Sequence, residues 1–162
     1  MTKIIIMRGV PGSGKSTATK VLRDIGECSI HSTDSLFMVD GEYKFNFEDL
    51  YKNHKRNERN FTYALEKDFD FVVCDNTNIK RRDFKPYLQF DFPKVCIHFE
   101  PSEPSVHFKR NTHGVPLETL ETMCKNLIEY QDEFDHYLIV PNTMNQEEAY
   151  THIFNFILSI DA

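Results

Sequence analysis

The stretch "GVPGSGKST", residues 9–17, decides the fold of this chain. Its residues Gly9, Gly14, Lys15 and Ser16 satisfy the spacing G-x-x-x-x-G-K-[ST], with a strand-like run before them and a helix-like run after them. Glycines at these positions let the backbone bend so that its N–H groups point at phosphate oxygens. The stretch therefore predicts a phosphate-binding loop at the start of a helix.

Each polar group of this loop has an expected role. Lys15 reaches the β- and γ-phosphates, the Ser16 hydroxyl ligates Mg²⁺, and Thr17 hydrogen-bonds the α-phosphate. ATP and Mg²⁺ are the predicted cofactors, and the predicted nucleotide-binding residues of the loop are Gly12, Ser13, Gly14, Lys15, Ser16 and Thr17. The alternative is a glycine-rich turn that binds nothing.

The rest of the chain indicates an α/β fold. Its 162 residues, 40% of them hydrophobic, suit one domain over residues 1–162. Short apolar runs alternate with longer amphipathic ones, which is typical of a parallel sheet covered by helices on both faces. The predicted strands are Lys3–Arg8, Cys28–Ser32, Phe71–Asp75, Lys94–Phe99 and Tyr137–Val140.

Composition excludes several classes of protein. No apolar run is long enough to span a membrane, so we expect no membrane partner. The four cysteines are far apart, which predicts reduced thiols in a cytoplasmic protein and no zinc site. The net charge of −6 argues against a protein that coats nucleic acid, but it leaves room for a local cleft that takes one strand end.

The short length and the absence of an N-K-x-D guanine motif favour a small kinase, which needs an acid near the acceptor hydroxyl. Asp34, in "HSTDS", follows the second predicted strand, and sites in open parallel sheets lie at the carboxyl ends of strands. Asp34 is thus the candidate general base, at the acceptor site. It could instead cap a helix that begins at Ser35 or Leu36.

A second carboxylate ends the third predicted strand, in "VVCDNTN". Asp75 is a candidate for the Mg²⁺ site and the acceptor site, and Asn76, Thr77 and Asn78 are candidate substrate-binding residues. A simple turn has the same composition. The residues alone do not decide which aspartate serves the metal and which takes the proton.

Basic residues supply the candidate cations. Arg110, in "FKRNTHGVP", is expected on a mobile lid over the triphosphate, as a catalytic and nucleotide-binding residue, although it could merely compensate a helix dipole. His113 in that segment is interpreted as a turn residue. Arg82, in "NIKRRDFK", is a candidate for an acceptor phosphate. A predicted helix over residues 47–68 carries a further basic cluster, which is expected to face solvent.

The segments "RGVPGSGKST", "STDS", "CDNTN" and "KRNTHGVP" together resemble polynucleotide 5′-kinase-like P-loop proteins, including the kinase domain of phage end-healing enzymes. The resemblance runs from about Ile4 to Tyr130. It implies a sheet with strand order 2-3-1-4-5 and transfer of the γ-phosphate of ATP to the 5′-hydroxyl of DNA or RNA. It also implies Lys15 and Ser16 at the phosphates and metal, Asp34 as general base, Asp75 as a support residue near the site and Arg110 in the lid.

Two other functions stay open on the sequence. One is a kinase for a nucleoside, sugar or similar metabolite. The other is a nucleotide-binding interaction module without transfer activity, because Phe37 stands where the phage enzymes have an arginine and the lid is shorter.

Overall fold

A computed structural model describes residues 1–161. Its main feature is a five-stranded parallel sheet with the order β2-β5-β1-β6-β7, which is the predicted order 2-3-1-4-5 when only the sheet's own strands are counted. The sheet strands are β1 (Lys3–Arg8), β2 (Cys28–His31), β5 (Phe71–Asp75), β6 (Lys94–Phe99) and β7 (His136–Val140). A separate antiparallel hairpin is formed by β3 (Met38–Val39) and β4 (Glu42–Tyr43).

Residues 1–161 contain six helices, of which five lie between strands of the sheet and the last follows β7. They are α1 (Lys15–Ile25), α2 (Leu50–Leu65), α3 (Arg81–Phe84), α4 (Pro104–Arg110), α5 (Leu117–Asn126) and α6 (Gln146–Ile160). Short 3-10 turns lie at Asp34–Phe37, Phe47–Asp49, Lys85–Leu88 and Gln131–Glu133.

The alternation of side chains along β1 divides the core into two layers. Ile5 and Met7 point to one face of the sheet, where they join a cluster that includes residues of α1 and α6. Ile4 and Ile6 point to the other face and join a cluster that includes Phe61 of α2. All six residues of β1 are buried because helices cover both faces of the central strand.

The central position of β1 places the phosphate-binding loop at the middle of the sheet edge. Ile5 pairs with Val73 of β5 on one side and with Val95 of β6 on the other. The loop therefore begins at a point that both neighbouring strands hold in place.

Three local predictions were wrong. Helix α2 begins at Leu50 instead of Phe47, whose side chain is 76% exposed. Helical spacing predicts that His54 lies on the same buried face as Phe61, but His54 is exposed. Asn53 is buried on this helix in place of His54, because the face of α2 that packs on the sheet is rotated slightly from the face predicted by its apolar residues. The helix expected at Ser35 or Leu36 is a four-residue 3-10 turn, which a hairpin ends at once.

No helix within residues 1–161 is both long enough and apolar enough to cross a membrane.

Candidate active site

The phosphate-binding loop has the backbone geometry that its glycines allow. Gly12 and Gly14 adopt φ values of +77° and +94°, in the left-handed region. A Cβ on Gly9 would lie 2.5 Å from the Ser13 Oγ, so this position has no room for a side chain. The Lys15 ammonium donates to the carbonyl oxygens of Gly9 (2.9 Å) and Val10 (3.2 Å), which keeps this side chain folded over the loop.

Helix α1 offers its N-terminus to the loop. Gly14 is the N-cap, no side chain among the described residues makes a cap hydrogen bond there, and the first turn contains no acidic residue. The free N–H groups and the positive end of the helix dipole are available to a phosphate.

A cleft of about 620 Å³ opens in front of the loop. Asp34 and Asp75 both line it, together with Lys15. Asp34 follows β2 and Asp75 ends β5, and these two strands are neighbours in the sheet. The cleft is also lined by Gly12, Ser13, Gly14, Ser16, Asn76, Thr77 and Arg110, all of them predicted site residues. Thr17 lines a second cavity behind the loop instead.

The charges in the cleft act on one another. Burial lowers the pKa of Lys15, and the negative charges of Asp75 and Asp34 oppose this shift. Burial raises the pKa of Asp75, which the Lys15 ammonium opposes and Asp34 reinforces. The ionisation of these three groups, one lysine and two carboxylates, is therefore coupled.

Asp34 faces the cleft with a carboxylate that is 52% exposed. It is the first residue of the 3-10 turn, and Thr33 stands at the cap position without a side-chain cap bond. The Tyr43 hydroxyl donates to the Asp34 Oδ1 (3.3 Å), and the His113 Nε2 lies 3.8 Å from the Oδ2. The capping alternative for Asp34 is thus not what the structure shows.

The turn after Asp75 connects neighbouring loops. The Asn76 Oδ1 accepts from the Thr33 N–H (2.9 Å), which links this turn to the residue before Asp34. The Thr77 carbonyl accepts from the Gly9 N–H (3.0 Å), which links it to the phosphate-binding loop.

Asn78 is a correction to the predicted substrate-binding set. Its side chain is buried, it adopts φ of +48°, and its Nδ2 donates to the Met7 carbonyl (2.8 Å). Asparagine tolerates this left-handed conformation, and the amide then fastens the turn to β1. Asn78 therefore shapes the turn and does not line the cleft.

Arg82 is a second correction. Its side chain is 79% exposed and points into solvent beside Asp83. Arg81 pairs with Glu133. Neither arginine lines the cleft, because α3 carries both away from the tip of β5, and this position does not support the predicted contact with an acceptor phosphate.

We call residues 104–115 the lid, because they include α4 and most of the segment, residues 108–116, in which a lid is expected. This segment contacts the phosphate-binding loop through α4. His107 is buried, its Nε2 accepts from the Ser102 N–H (2.8 Å), and its Nδ1 therefore carries the proton that it donates to the Gly12 carbonyl (3.2 Å). Arg110 lies close enough that a Cβ on Gly12 would meet its Cβ at 2.9 Å.

Several cleft residues were missed by sequence reasoning. His113 lines the cleft although it was interpreted as a turn residue, and Thr19, Lys20 and Arg23 line it from α1. The position of Lys20 could have been predicted. A helix places residues four apart on the same face, and Lys20 follows the site residue Ser16 by four positions. Tyr43, which contacts Asp34 but does not line the cleft, was also missed, because it lies in a two-residue strand without a periodic signal.

The polar groups fit a Mg²⁺–nucleotide complex. The Ser13 and Thr19 hydroxyls are buried without a hydrogen-bond partner in the described structure. Phosphate oxygens in the cleft could satisfy such groups. Residues 1–161 contain no cluster of three or more His, Cys, Asp or Glu that could hold a metal ion. Mg²⁺ commonly takes one or two protein ligands and completes its shell with water and phosphate, and Ser16 with Asp75 match that need.

Comparison of the chain with known proteins identifies its family. Residues 4–127 match the model of the AAA domain family AAA_33. NEDD4-binding protein 2 from Homo sapiens is 31% identical over 134 residues, which cover 76% of this chain but only 7% of that protein. The chain thus spans a small part of the length of this relative.

The solved structures that share the fold include a sugar kinase and a gluconokinase. A sugar kinase from Janibacter sp. superposes with a TM-score of 0.72 at 14% identity, covering 97% of this chain and 95% of that one. A gluconokinase from Sinorhizobium meliloti gives 0.65 at 18% identity, covering 98% and 93%. Since the family model covers most of the chain, from β1 through α5, the chain belongs to the AAA domain family and has the α/β fold of P-loop kinases.

Proposed function

We propose that this chain is an ATP-dependent kinase that transfers the γ-phosphate of ATP to the 5′-hydroxyl of a DNA or RNA strand. The observation that carries the proposal is the position of Asp34, whose half-exposed carboxylate shares one cleft with Lys15 and Asp75. A base in front of a phosphate-binding lysine is what transfer to an alcohol requires.

The donor nucleotide would lie across both sides of the phosphate-binding loop. Its phosphates would occupy the loop and the N-terminus of α1, under Arg110. The second cavity, of about 380 Å³, is lined by Thr17, His107, Pro141 and Met144 among others and has a size and mixed lining that suit the nucleoside.

In the proposed step, the acceptor oxygen forms a bond to the γ-phosphorus while the bond from that phosphorus to the bridging oxygen breaks. ADP leaves, and the acceptor proton passes to the Asp34 carboxylate. Lys15 and Arg110 stabilise the negative charge on the transferring group. Mg²⁺, when bound by Ser16 and Asp75, would neutralise charge on the β- and γ-phosphates.

Two features support a DNA or RNA strand as the acceptor. They are the motifs "CDNTN" and "KRNTHGVP" and a basic stripe on α2. The basic stripe consists of Lys52, Lys55, Arg56 and Arg59, all exposed on the face opposite the core. Its helix contacts the turn that carries Asp34, since the Thr33 hydroxyl and the His54 Nδ1 lie 3.0 Å apart. A strand that leaves the cleft could run along this positive surface.

We further propose that residues 1–162 act as one domain of a cytoplasmic protein, which the free cysteines Cys28, Cys74, Cys96 and Cys124 support. The second candidate function is phosphorylation of a sugar-like metabolite. It is favoured by the kinases among the structural relatives, whose likeness concerns the fold.

An acceptor screen with γ-labelled ATP tests the proposal. Wild-type protein is incubated with Mg²⁺ and 5′-hydroxyl DNA or RNA oligonucleotides, free nucleosides, gluconate or simple sugars. We expect label on the 5′ end of an oligonucleotide. Label on a free metabolite instead would establish the second candidate, and label on no acceptor would refute both.

The same assay tests the assigned base. Asp34→Ala should lower kcat roughly 10²- to 10⁴-fold, the range for a positioned base, and leave ATP affinity nearly unchanged. Lys15→Ala should lose ATP binding and activity together, and Asp132→Asn, on an exposed turn, is the matched control. Full activity of Asp34→Ala would exclude this residue as the base.

A further inference from the structure

Two segments of the chain, the hairpin and the lid, both approach the Asp34 carboxylate. Tyr43, in the hairpin, donates to the Asp34 Oδ1 at 3.3 Å. His113, in the lid, places its Nε2 3.8 Å from the Oδ2. The rings of Tyr43 and His113 also contact each other, with centroids 4.3 Å apart and planes at 49°.

Tyr43 is held by the same turn that carries Asp34. It pairs with Met38 in the hairpin, and its ring meets the buried Phe37 edge-on, with centroids 6.4 Å apart. The Lys44 N–H donates to the Phe37 carbonyl (2.9 Å) and closes the hairpin onto the turn. The Tyr43 hydroxyl thus has a fixed position relative to Asp34.

A carboxylate that is half exposed rotates readily about its Cβ–Cγ bond, because this torsion is broad and roughly two-fold. A hydrogen bond to one oxygen removes this freedom. When Tyr43 donates to Oδ1, Oδ2 is the oxygen left for a substrate hydroxyl.

The lid connects this arrangement to the nucleotide. At one end, the His107 Nδ1 donates to the Gly12 carbonyl, and Arg110 packs against Gly12. At the other end, three residues after Arg110, His113 packs on Tyr43. One short segment therefore contacts both the phosphate-binding loop and the group that orients Asp34.

We infer that Tyr43 is a positioning residue for Asp34 and that His113 couples it to the lid, so that closure over the nucleotide also orients the base. This inference rests on the proposed transfer reaction and deepens it. It assigns His113 a packing role through its ring.

The test is a double-mutant cycle on phosphate transfer to the acceptor identified by the screen. Tyr43→Phe keeps the ring and removes the donor, and we expect kcat to fall about 5- to 10-fold, the worth of one hydrogen bond, with both KM values within about two-fold. His113→Ala should lower kcat to a similar extent, and the double variant should lose little more than either single variant. His113→Phe, which retains a ring against Tyr43, should keep most of the activity.

The control is Tyr63→Phe, an exposed tyrosine on α2, which should match the wild type. Thermal unfolding of every variant verifies that it folds. Wild-type kcat in Tyr43→Phe, or fully multiplicative losses in the double variant, would overturn the inference while leaving the proposed function intact. A wild-type protein that transfers to no acceptor would overturn both.

Discussion

At the scale of single residues, Arg8 shows how the chain fixes the end of β1. Its guanidinium is fully buried and donates to the carbonyls of Asn78 (2.7 Å), Ile79 (2.7 Å) and Ile128 (2.6 Å) and to the Tyr137 hydroxyl (3.0 Å). One side chain thereby joins β1 to β7 and to the turn after β5. It immediately precedes the phosphate-binding loop, so it anchors the loop's first residue.

Removing Arg8 should destabilise the protein strongly. Its guanidinium also lies 4.9 Å from the ring centroids of both Phe84 and Tyr130. Arg8→Ala leaves several buried acceptors without a donor and opens a cavity, so we expect a loss of about 3 kcal/mol or more in the free energy of unfolding. Urea denaturation measures it, and the exposed Arg59→Ala, expected within about 0.5 kcal/mol of wild type, is the control. Equal midpoints for both variants would show that Arg8 is not a structural centre.

Residues of the site were predictable where a general rule fixes them. Asp34 and Asp75 follow strands, and the carboxyl ends of parallel strands meet at one edge. Asn78 was misassigned because the side chain of a short polar residue after a strand can point either into the cleft or into the protein. Here the left-handed backbone directs the side chain into the protein, where it bonds to β1. The role of Tyr43 was not predictable, because its contacts with Asp34 and His113 form only when the hairpin and the lid pack together in the folded chain.

At the scale of elements, the strands were predicted better than the connections. The three central strands, β1, β5 and β6, are mostly apolar runs that both faces of the sheet bury, so their composition marks them. The hairpin of β3 and β4 pairs only two residues on each strand, and every residue from Met38 to Glu42 is exposed. Such a short exposed element has no hydrophobic period to detect.

The basic stripe on α2 supports a prediction at this scale. Lys52, Arg56 and Arg59 lie on one face at helical spacing. If a DNA or RNA strand runs along this face, replacing all three residues by Gln should weaken its binding. We expect KM for a long 5′-hydroxyl oligonucleotide to rise about 10-fold or more at low salt, with kcat nearly unchanged. The dependence of log KM on log salt should also become shallower, because fewer phosphates are neutralised.

The control for this prediction replaces Lys67, Lys85 and Lys125, which are exposed elsewhere, and removes the same charge. A nucleoside 3′-phosphate acceptor is too short to reach the stripe, so its KM should not change in either variant. An equal rise of KM in the control would mean that net charge, and not this face, attracts the strand.

At the scale of the whole molecule, a buried polar network sets how stability responds to acid. The Tyr137 hydroxyl accepts from the Arg8 guanidinium and forms a hydrogen bond with the His98 Nδ1, 2.6 Å away. Burial and the nearby Arg8 charge lower the pKa of His98 to about 4. Burial also lowers the pKa values of His31 and His107.

These shifts fix the sign of the pH dependence. The unfolded chain takes up a proton on His98 near pH 6.5, whereas the folded chain does so only near pH 4. The free energy of unfolding should therefore fall as the pH falls from 6.5 towards 4. His98→Gln should reduce that slope by up to about 1.4 kcal/mol per pH unit.

Urea denaturation at several pH values between 4 and 7.5 measures both slopes. His152→Gln is the comparison, since this histidine, on α6, donates from its Nε2–H to the Ile139 carbonyl (3.0 Å) and makes no other side-chain hydrogen bond in the described structure. An unchanged slope in His98→Gln would show that the acid sensitivity arises at other groups.

The central place of β1 in the sheet has a consequence for the order in which the molecule loosens. The amides of Ile4, Ile5 and Ile6 are enclosed by β5 and β6, so their hydrogens exchange with solvent only when the sheet itself comes apart. The lid and the hairpin hold fewer such bonds, so we expect their amide hydrogens to exchange through local openings. The strand that positions the phosphate-binding loop should therefore stay formed for as long as the protein is folded, whereas the segments near the cleft should open far more often.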